Sequence, residues 1–146
     1  MGNEDVLEIA HRIEEAFNAG DWDAYSAMLT DDTVIETPAV QGRGREDVLQ
    51  NAKRIKAAFP DMRTTIANGL SCGHTAVVEL AVEATHSGPL ATPRGAIPPT
   101  NRKVAFKTVM LLEISDGKLM ALREYFDRAG LMAQLGIGTG APTGTA

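Results

Sequence analysis

The dipeptide Asp116-Gly117 constrains what this chain can fold into more than any other part of the sequence. Asp-Gly is a strong signal for a tight turn between two antiparallel strands. Residues 104–115 before it and residues 118–126 after it both alternate apolar with polar side chains, as strands do. We therefore predict a β-hairpin, and hence a largely antiparallel sheet as the framework of the fold.

The second strand of this hairpin carries an unusual polar end. Regular alternation places Leu119, Ala121, Arg123, Tyr125 and Asp127 on one face. The opposite face then holds Met120, Leu122, Glu124 and Phe126. An arginine, a tyrosine and a carboxylate at two-residue spacing form a converging set that an ordinary half-buried strand does not need. We predict that the rest of the chain encloses this end of the strand.

The N-terminal part of the chain has the pattern of helices. A first amphipathic helix covers residues 3–17, and Asp21 caps a short second helix. Residues 33–37 form a short β-branched strand. A third amphipathic helix spans residues 45–59 and ends at Pro60, because proline cannot continue a helix.

From residue 61 onward the apolar period is that of strands. The longest run, residues 74–86, has an apolar face that ends at His86. Residues 87–102 contain four of the seven prolines, so this segment is predicted to be irregular. A loop of this length inside a compact domain is usually functional, for example as a lid.

The order of these elements indicates an α+β fold. Helices that are segregated from a run of strands predict one curved antiparallel sheet, shaped like a cone, with the helices packed on its concave face. Such an arrangement leaves a cavity where the helices and the sheet separate. Residues 1–137 are assigned to this single domain, and residues 138–146 to a flexible C-terminal tail.

Composition excludes several classes of function. A net charge of −5 without a basic cluster argues against nucleic acid as a partner. No apolar run approaches the ~20 residues of a membrane span, and the acidic N-terminus does not resemble a signal peptide, so we expect a cytoplasmic protein without a membrane partner. The single cysteine, Cys72, forms no internal disulfide. The histidines lack metal-ligand spacing and no phosphate-binding glycine loop is present, so we expect neither metal nor cofactor.

Three segments together resemble a known family. They are FNAGDWDAYSAMLTDDTVIETPAVQGR, HSGPLATPRGAIPPTNRKVAF and YFDRAGLMAQLGI. With them, residues 3–137 resemble the SnoaL-like polyketide cyclases, or ester cyclases, of the superfamily shaped like nuclear transport factor 2. The resemblance implies a cone-shaped α+β barrel with an apolar pocket, paired into dimers through the outer face of the sheet.

The resemblance also implies a chemistry and residues for it. In characterised cyclases of this family a pocket aspartate acts as acid and base in an intramolecular aldol condensation, without metal or cofactor, and it corresponds to Asp127. A histidine is common at the position of His86, and Arg123 with Tyr125 match the ester-cyclase form of the last strand. Glu36 stands where many members have histidine. The ketosteroid isomerase signature of the superfamily is absent, since its tyrosine and base positions hold Ile13 and Thr37.

The sequence thus yields two groups of candidate site residues. The candidate catalytic residues are Asp127, Arg123 and His86. The candidate substrate-binding residues are Glu36, Tyr125, Trp22, Tyr25, Phe106 and Met110.

Each candidate has a structural alternative. Asp127 precedes the last predicted helix and is suited to cap it. Arg123 is suited to a structural ion pair with Asp127 or Glu36. A lone histidine such as His86 on an apolar strand face is more often a core or rim residue than a catalyst. Trp22 and Tyr25 are suited to face the core from the second helix.

Three functions remain open at this stage. The first is a cofactor-independent enzyme that acts on a hydrophobic carbonyl compound by acid/base catalysis with Asp127. The second is a protein that binds a small apolar or aromatic ligand without chemistry. The third is hydrolysis of an epoxide by a water held between Glu36, Asp127 and Arg123. In each case we expect a homodimer, because long strands on the outer sheet face need cover.

Overall fold

The computed structural model describes residues 3–137 of the 146-residue chain. Within this range the helices are α1 (Asn3–Ala19), α2 (Trp22–Ala27), α3 (Arg45–Ala58) and α4 (Arg128–Gln134). The strands are β1 (Leu29–Glu36), β2 (Gln41–Arg43), β3 (Arg63–Cys72), β4 (Thr75–Thr85), β5 (Leu90–Thr92), β6 (Gly95–Ile97), β7 (Lys103–Ser115) and β8 (Lys118–Phe126). The predicted tail, residues 138–146, lies outside the described residues.

The main sheet has six strands in the order β2-β1-β8-β7-β4-β3. The hairpin predicted at Asp116-Gly117 joins β7 to β8, and the two turn residues have φ values of 52° and 75°. Such positive values are those of a turn that matches the twist of antiparallel strands. The predicted α+β class is confirmed, although the sheet is mixed because β1 pairs with β8 in parallel.

The helices cover the concave face of this sheet and bury one continuous core. The inward face of β4 is fully apolar and buried, as predicted. α1 packs against β3 and β4, and α3 packs against β1, with Ile13 and Val48 at most 1% exposed. The shape is therefore a cone whose interior lies between these two helices and the strands β3, β4, β7 and β8.

A β-bulge in β8 corrects the face assignment made from the sequence. Glu113 pairs with Ala121 but Ile114 pairs with Leu119, so Met120 is an extra residue on β8. A bulge changes the phase of alternation. Leu119 and Leu122 consequently both face the core, and the strand continues inward with Glu124 and Phe126.

The proline-rich segment, predicted to be irregular, contains a small hairpin formed by β5 and β6. The segment is fixed at its start, where the backbone N–H groups of Ser87 and Gly88 both donate to the carbonyl of Ala58. At Gly88 a Cβ atom would overlap the carbonyl oxygen of Ala57, so only glycine fits this close approach to α3. The hairpin is therefore anchored against the C-terminal end of α3.

None of the helices within residues 3–137 is long and apolar enough to span a membrane.

Candidate functional site

Asp127, predicted to be the central pocket carboxylate, is the N-cap of α4. Its side chain is exposed, and its Oδ1 accepts a hydrogen bond of 2.9 Å from the backbone N–H of Gly130. It is not among the residues that line the internal cavity. The expectation that Asp127 lies enclosed beneath the helices is wrong, because the strand ends at Phe126 and the carboxylate satisfies the first turn of the helix.

Arg123 lies on the outer face of the sheet, between two carboxylates. Its Nε donates to Glu36 at 3.1 Å and its Nη1 to Glu113 at 2.6 Å, and these hydrogen bonds raise the pKa of Arg123. Glu36 and Arg123 are opposite each other in the β1–β8 register. Tyr125 lies on the same outer face and is 58% exposed. The polar set predicted to converge in a pocket therefore covers the outside of the sheet, and Glu36 and Tyr125 do not reach the cavity.

His86 is completely buried, as its place on the apolar face of β4 predicted. Its Nδ1 accepts a hydrogen bond of 3.2 Å from the backbone N–H of Thr100, and its ring packs against Phe59 with centroids 5.3 Å apart. Burial lowers the pKa of His86, which favours the neutral ring. Phe59 lines the cavity, so His86 lies behind the cavity wall and does not face a ligand.

An internal cavity of about 110 Å³ lies between α1, α2, α3 and the sheet. Most of its lining is apolar and aromatic. Three of the predicted binding residues, Tyr25, Phe106 and Met110, line it, whereas Trp22 packs behind them in edge contact with Phe17 and Tyr25. The cavity also contains two carboxyl groups that the sequence reading did not select, Glu14 and Glu124.

Glu14 projects from α1 into this cavity and is only 7% exposed. Its Oε1 accepts a hydrogen bond of 2.6 Å from the hydroxyl of Thr64. Burial raises the pKa of Glu14 from 4.5 to about 7; the Thr64 hydrogen bond opposes this rise, and the charge of Glu124 adds to it. The group therefore titrates close to neutral pH, where a carboxyl group can both accept and donate a proton.

Glu124 enters the cavity from β8. Its Oε2 accepts a hydrogen bond of 2.9 Å from the hydroxyl of Thr108 on β7. Burial raises the pKa of Glu124, and the Thr108 hydrogen bond lowers it less. The charge of Glu124 also makes a small contribution to the raised pKa of Glu14, so the two carboxyl groups of the cavity influence each other's ionisation.

Tyr25 adds a phenol hydroxyl to the same space. Its side chain is 6% exposed, and burial followed by the charges of Glu14 and Glu124 raises its pKa. The phenol is therefore a neutral hydrogen-bond donor. Within residues 3–137 its hydroxyl has no hydrogen-bond partner, which leaves it available to a ligand oxygen.

An amide side chain holds α1 in the register that places Glu14. The side chain of Asn18 accepts from the backbone N–H of Thr64 at 2.9 Å and donates to its carbonyl at 2.9 Å, as a neighbouring strand would. β3 is an edge strand, so these backbone groups have no other strand to pair with. Lys56 also donates to the carbonyls of Asn18 and Met62, which ties α3 to the same corner.

A wider opening of about 330 Å³, which we call the mouth, continues outward from the cavity. The residues shared by the two spaces are Asn51, Ile55, Phe59, Glu124, Phe126 and Leu131. The β5–β6 hairpin forms one wall through Leu90 and Ala91. A ligand that enters through the mouth therefore reaches Glu124 first and Glu14 behind it.

Both missed carboxyl groups left a signal in the sequence. Glu14 falls within the apolar stripe of α1, between Ile13 and Phe17. Glu124 lies between Leu122 and Phe126 on one strand face, which is the more apolar of the two faces. A single carboxylate on an otherwise apolar helix or strand face therefore indicates a cavity residue. A cluster of charged residues, such as the one at the end of β8, does not.

No group of three or more His, Cys, Asp or Glu side chains suited to a metal ion occurs within the described part of the chain. The cavity itself offers two carboxyl groups, a phenol and the hydroxyl of Thr64, and these are groups for proton transfer and hydrogen bonding.

This curved α+β sheet, with helices that enclose a largely apolar cavity, is a fold that the chain shares with many solved structures. Solved structures of the same shape include a candidate SnoaL-like polyketide cyclase from Jannaschia sp. CCS1, with a TM-score of 0.82 and 19% identity over 97% of this chain and 95% of that one. IdmH, a candidate polyketide cyclase from Streptomyces antibioticus, has a TM-score of 0.75 and 25% identity, over 90% of this chain and 99% of that one. An LEH-like epoxide hydrolase from M. tuberculosis has a TM-score of 0.71 and 19% identity, over 91% of this chain and 90% of that one.

The family model for SnoaL-like polyketide cyclase matches residues 7–135. The chain belongs to this family, as the sequence resemblance predicted. A search among curated proteins found no match.

Proposed function

We propose that this protein is an enzyme that moves protons on a hydrophobic carbonyl compound, with Glu124 and Glu14 as the working carboxyl groups. One observation carries the proposal. Two carboxyl groups with raised pKa values and a neutral phenol share an apolar cavity. Perturbed titratable groups that converge in a cleft are typical of acid/base sites.

The pair is suited to hold one negative charge between two carboxyl groups. Two carboxylates that share a dry site resist double ionisation, so one ionises while the other keeps its proton. We assign Glu124, which borders the mouth, as the base that removes a proton alpha to the carbonyl. Glu14 in its protonated form and Tyr25 then donate hydrogen bonds to the oxygen as negative charge develops on it.

The same proton transfers serve the ring closure suggested by the family. After the alpha proton passes to Glu124, the enolate carbon attacks a second carbonyl carbon of the same molecule, and a carbon–carbon bond forms as that carbonyl π bond breaks. The new alkoxide takes a proton from Glu14. A proton returning from Glu124 to Glu14, directly or through water, restores the pair, so no external oxidant or reductant is required.

Deuterium exchange isolates the first step without the natural substrate. In D₂O at neutral pH the protein should accelerate exchange of the alpha protons of butyrophenone, a phenyl ketone whose ring suits the apolar cavity. Glu124→Gln and Glu14→Gln should each lower this acceleration by about 10² or more, since a positioned acid or base contributes about 10²–10⁴. Proton NMR and mass spectrometry measure the exchange.

Asp127→Asn provides the matched control. Asparagine caps a helix about as well as aspartate, so this variant should fold normally and exchange at the wild-type rate. Loss of exchange in Asp127→Asn together with full exchange in Glu124→Gln would contradict the proposal. It would show that Asp127, the candidate from the sequence, is the catalytic carboxylate.

Ligand binding without turnover is the second candidate, and the largely apolar lining of the cavity favours it. In that case butyrophenone would bind, detected by calorimetry, but the exchange rate would equal that of buffer.

Epoxide hydrolysis is tested in the same samples with styrene oxide. Glu36 and Arg123, first considered for it with Asp127, lie on the outer sheet face, and Asp127 caps α4. Among the described residues, Glu14 and Glu124 are the carboxyl groups that line the cavity where such a water would be held.

A further inference from the structure

The mouth of the cavity combines apolar walls with two guanidinium groups. Arg54 reaches it from α3, and Arg128 reaches it from the start of α4 on the opposite side. The remaining wall includes Leu90, Phe126 and Met132. Apart from Glu124, which lies at the inner end, no carboxyl group lines this opening within residues 3–137.

These two arginines differ from the arginines that form ion pairs. Arg12, Arg45 and Arg123 each have a carboxylate oxygen within 3.1 Å. Across the described residues, neither Arg54 nor Arg128 forms a salt bridge. Other arginines of the described chain, such as Arg43 and Arg63, also form no salt bridge. What distinguishes Arg54 and Arg128 is that both guanidiniums line one opening, where a single anion can contact both.

Arg54 is also held in a fixed orientation. Its Nη1 donates to the carbonyl of Ala91 at 3.1 Å, and its Nη2 donates to Oδ1 of Asn51 at 3.0 Å. A guanidinium has five N–H donors, so the group keeps donors for a ligand after these two bonds. One of the two bonds joins Arg54 to the β5–β6 hairpin, which places the remaining donors at the edge of the mouth.

The two positive charges repel each other in the unliganded protein. Burial lowers the pKa of Arg54, and the charge of Arg128 lowers it further. Like charges that face one opening are unfavourable unless an anion lies between them. An oxyanion placed between the two guanidiniums would remove this repulsion.

We propose that the mouth binds an oxyanion, a carboxylate or a phosphate, carried by the substrate, which is therefore an amphipathic anion with its apolar carbonyl end in the cavity. Guanidiniums bind such groups through two parallel hydrogen bonds, and this geometry fixes the direction in which the ligand enters. The position given to the carbonyl end rests on the proposed function, whereas binding of the anion does not.

The inner and outer parts of the site complement each other in charge. The raised pKa values of Glu14 and Glu124 reduce the negative charge inside the cavity. A neutral carbonyl end enters this region without repulsion, and the anionic end remains beside the two arginines. Such a ligand is oriented by charge at one end and by burial at the other.

A matched pair of phenyl ketones tests the proposal. 4-Oxo-4-phenylbutanoate and its primary amide have the same ring and ketone and differ in charge at the far end. Calorimetric titration of wild-type protein at low salt should show about tenfold or stronger preference for the carboxylate, as expected when a charged hydrogen-bonded pair replaces a neutral one. A phosphonate analogue with the same phenyl ketone distinguishes a phosphate preference from a carboxylate preference.

Variants of the residues that line the mouth show whether the two arginines cause the preference for the carboxylate over the amide. Arg54→Gln and Arg128→Gln should each reduce the preference for the anion by about tenfold while leaving affinity for the amide unchanged. Arg128→Lys should keep part of it, because the charge remains and the bidentate geometry is lost. Lys53→Gln is the control, since Lys53 is next to Arg54 on α3 but lies outside the mouth.

The outcomes separate this inference from the proposed function. Glu14→Gln should lose deuterium exchange and keep the anion preference, because Glu14 lines the cavity and not the mouth. Lys53→Gln, which lines neither space, should keep both the exchange of butyrophenone and the anion preference. Equal binding of carboxylate and amide to the wild-type protein, or failure of both to bind, overturns the inference. An effect of Lys53→Gln as large as that of the arginine variants overturns it as well.

Discussion

Glu14 is a buried carboxyl group that the fold accommodates in its protonated form, so its protonation contributes to stability. The folded-state pKa of about 7 lies above the unfolded value of 4.5. Between these pH values the folded state holds a proton that the unfolded state releases, so the free energy of unfolding falls as pH rises through this window. The stabilisation is fully present below about pH 4.5 and lost above about pH 7.

We predict that Glu14→Gln removes most of this pH dependence. A shift of this size corresponds to on the order of 3 kcal/mol, so wild type should lose about that much more stability than the variant between pH 4.5 and pH 8. Urea unfolding at the two pH values measures the difference. Glu15→Gln, one position away and exposed, is the control. Equal losses in wild type and Glu14→Gln would show that Glu14 is ionised normally in the folded protein.

Asp127 provides a second prediction for a single residue. Because its carboxylate accepts the Gly130 N–H at the start of α4, Asp127→Ala should destabilise the protein by about 1 kcal/mol, and Asp127→Asn should have little effect. Chemical denaturation measures both. The deuterium exchange rate should stay at the wild-type level in each variant that remains folded. A strong loss of exchange with unchanged stability would contradict the role of a cap.

Local sequence patterns predicted the helices and strands, but they did not predict which side chains form the site. Strand β8 shows why. Alternation in residues 118–126 correctly indicated a strand, since this pattern depends only on neighbouring residues. The extra residue at Met120 depends on pairing with β7, which the sequence of β8 alone does not reveal. The inward direction of Glu124 therefore becomes certain only when the register of both strands is known.

The loop between β4 and β7 gives a prediction at this scale. Gly88 approaches the backbone of Ala57 so closely that an added Cβ would overlap a carbonyl oxygen, which cannot move without α3. Gly88→Ala should therefore destabilise the protein by about 1–3 kcal/mol, the usual cost of overpacking. Ser87→Ala, beside it and exposed, should change stability little. Similar unfolding midpoints for the two variants would show that the loop does not depend on this contact.

At the scale of the whole molecule, order of elements and family motifs were sufficient to predict the cone. Glu14 and Glu124, in contrast, are far apart in the sequence and meet only because α1 packs over the sheet. Asn18 fixes this packing through the edge of β3, a contact between side chain and backbone that no periodic pattern encodes. The sequence thus predicts the enclosure well and its titratable contents poorly.

The outer face of the sheet bears on how whole molecules associate. Tyr125 and Leu70 are each 58% exposed there, so an apolar partner surface would have side chains to contact on this face. Arg123 is neutralised on the same face by Glu36 and Glu113, so it does not repel an apolar partner surface. These features support the homodimer expected from the sequence, formed through a twofold contact of this face with itself.

We predict that a charge placed on this face dissociates the dimer. Tyr125→Glu should change the sedimentation coefficient at about 100 µM protein from that of a dimer to that of a monomer, because a twofold contact would bring two buried, unpaired carboxylates together. Asp23→Lys, a charge reversal on the exposed side of α2, should leave the dimer intact. Since Arg123 and Tyr125 lie outside the cavity, the monomer should retain deuterium exchange. A wild-type protein that already sediments as a monomer at this concentration would contradict the prediction.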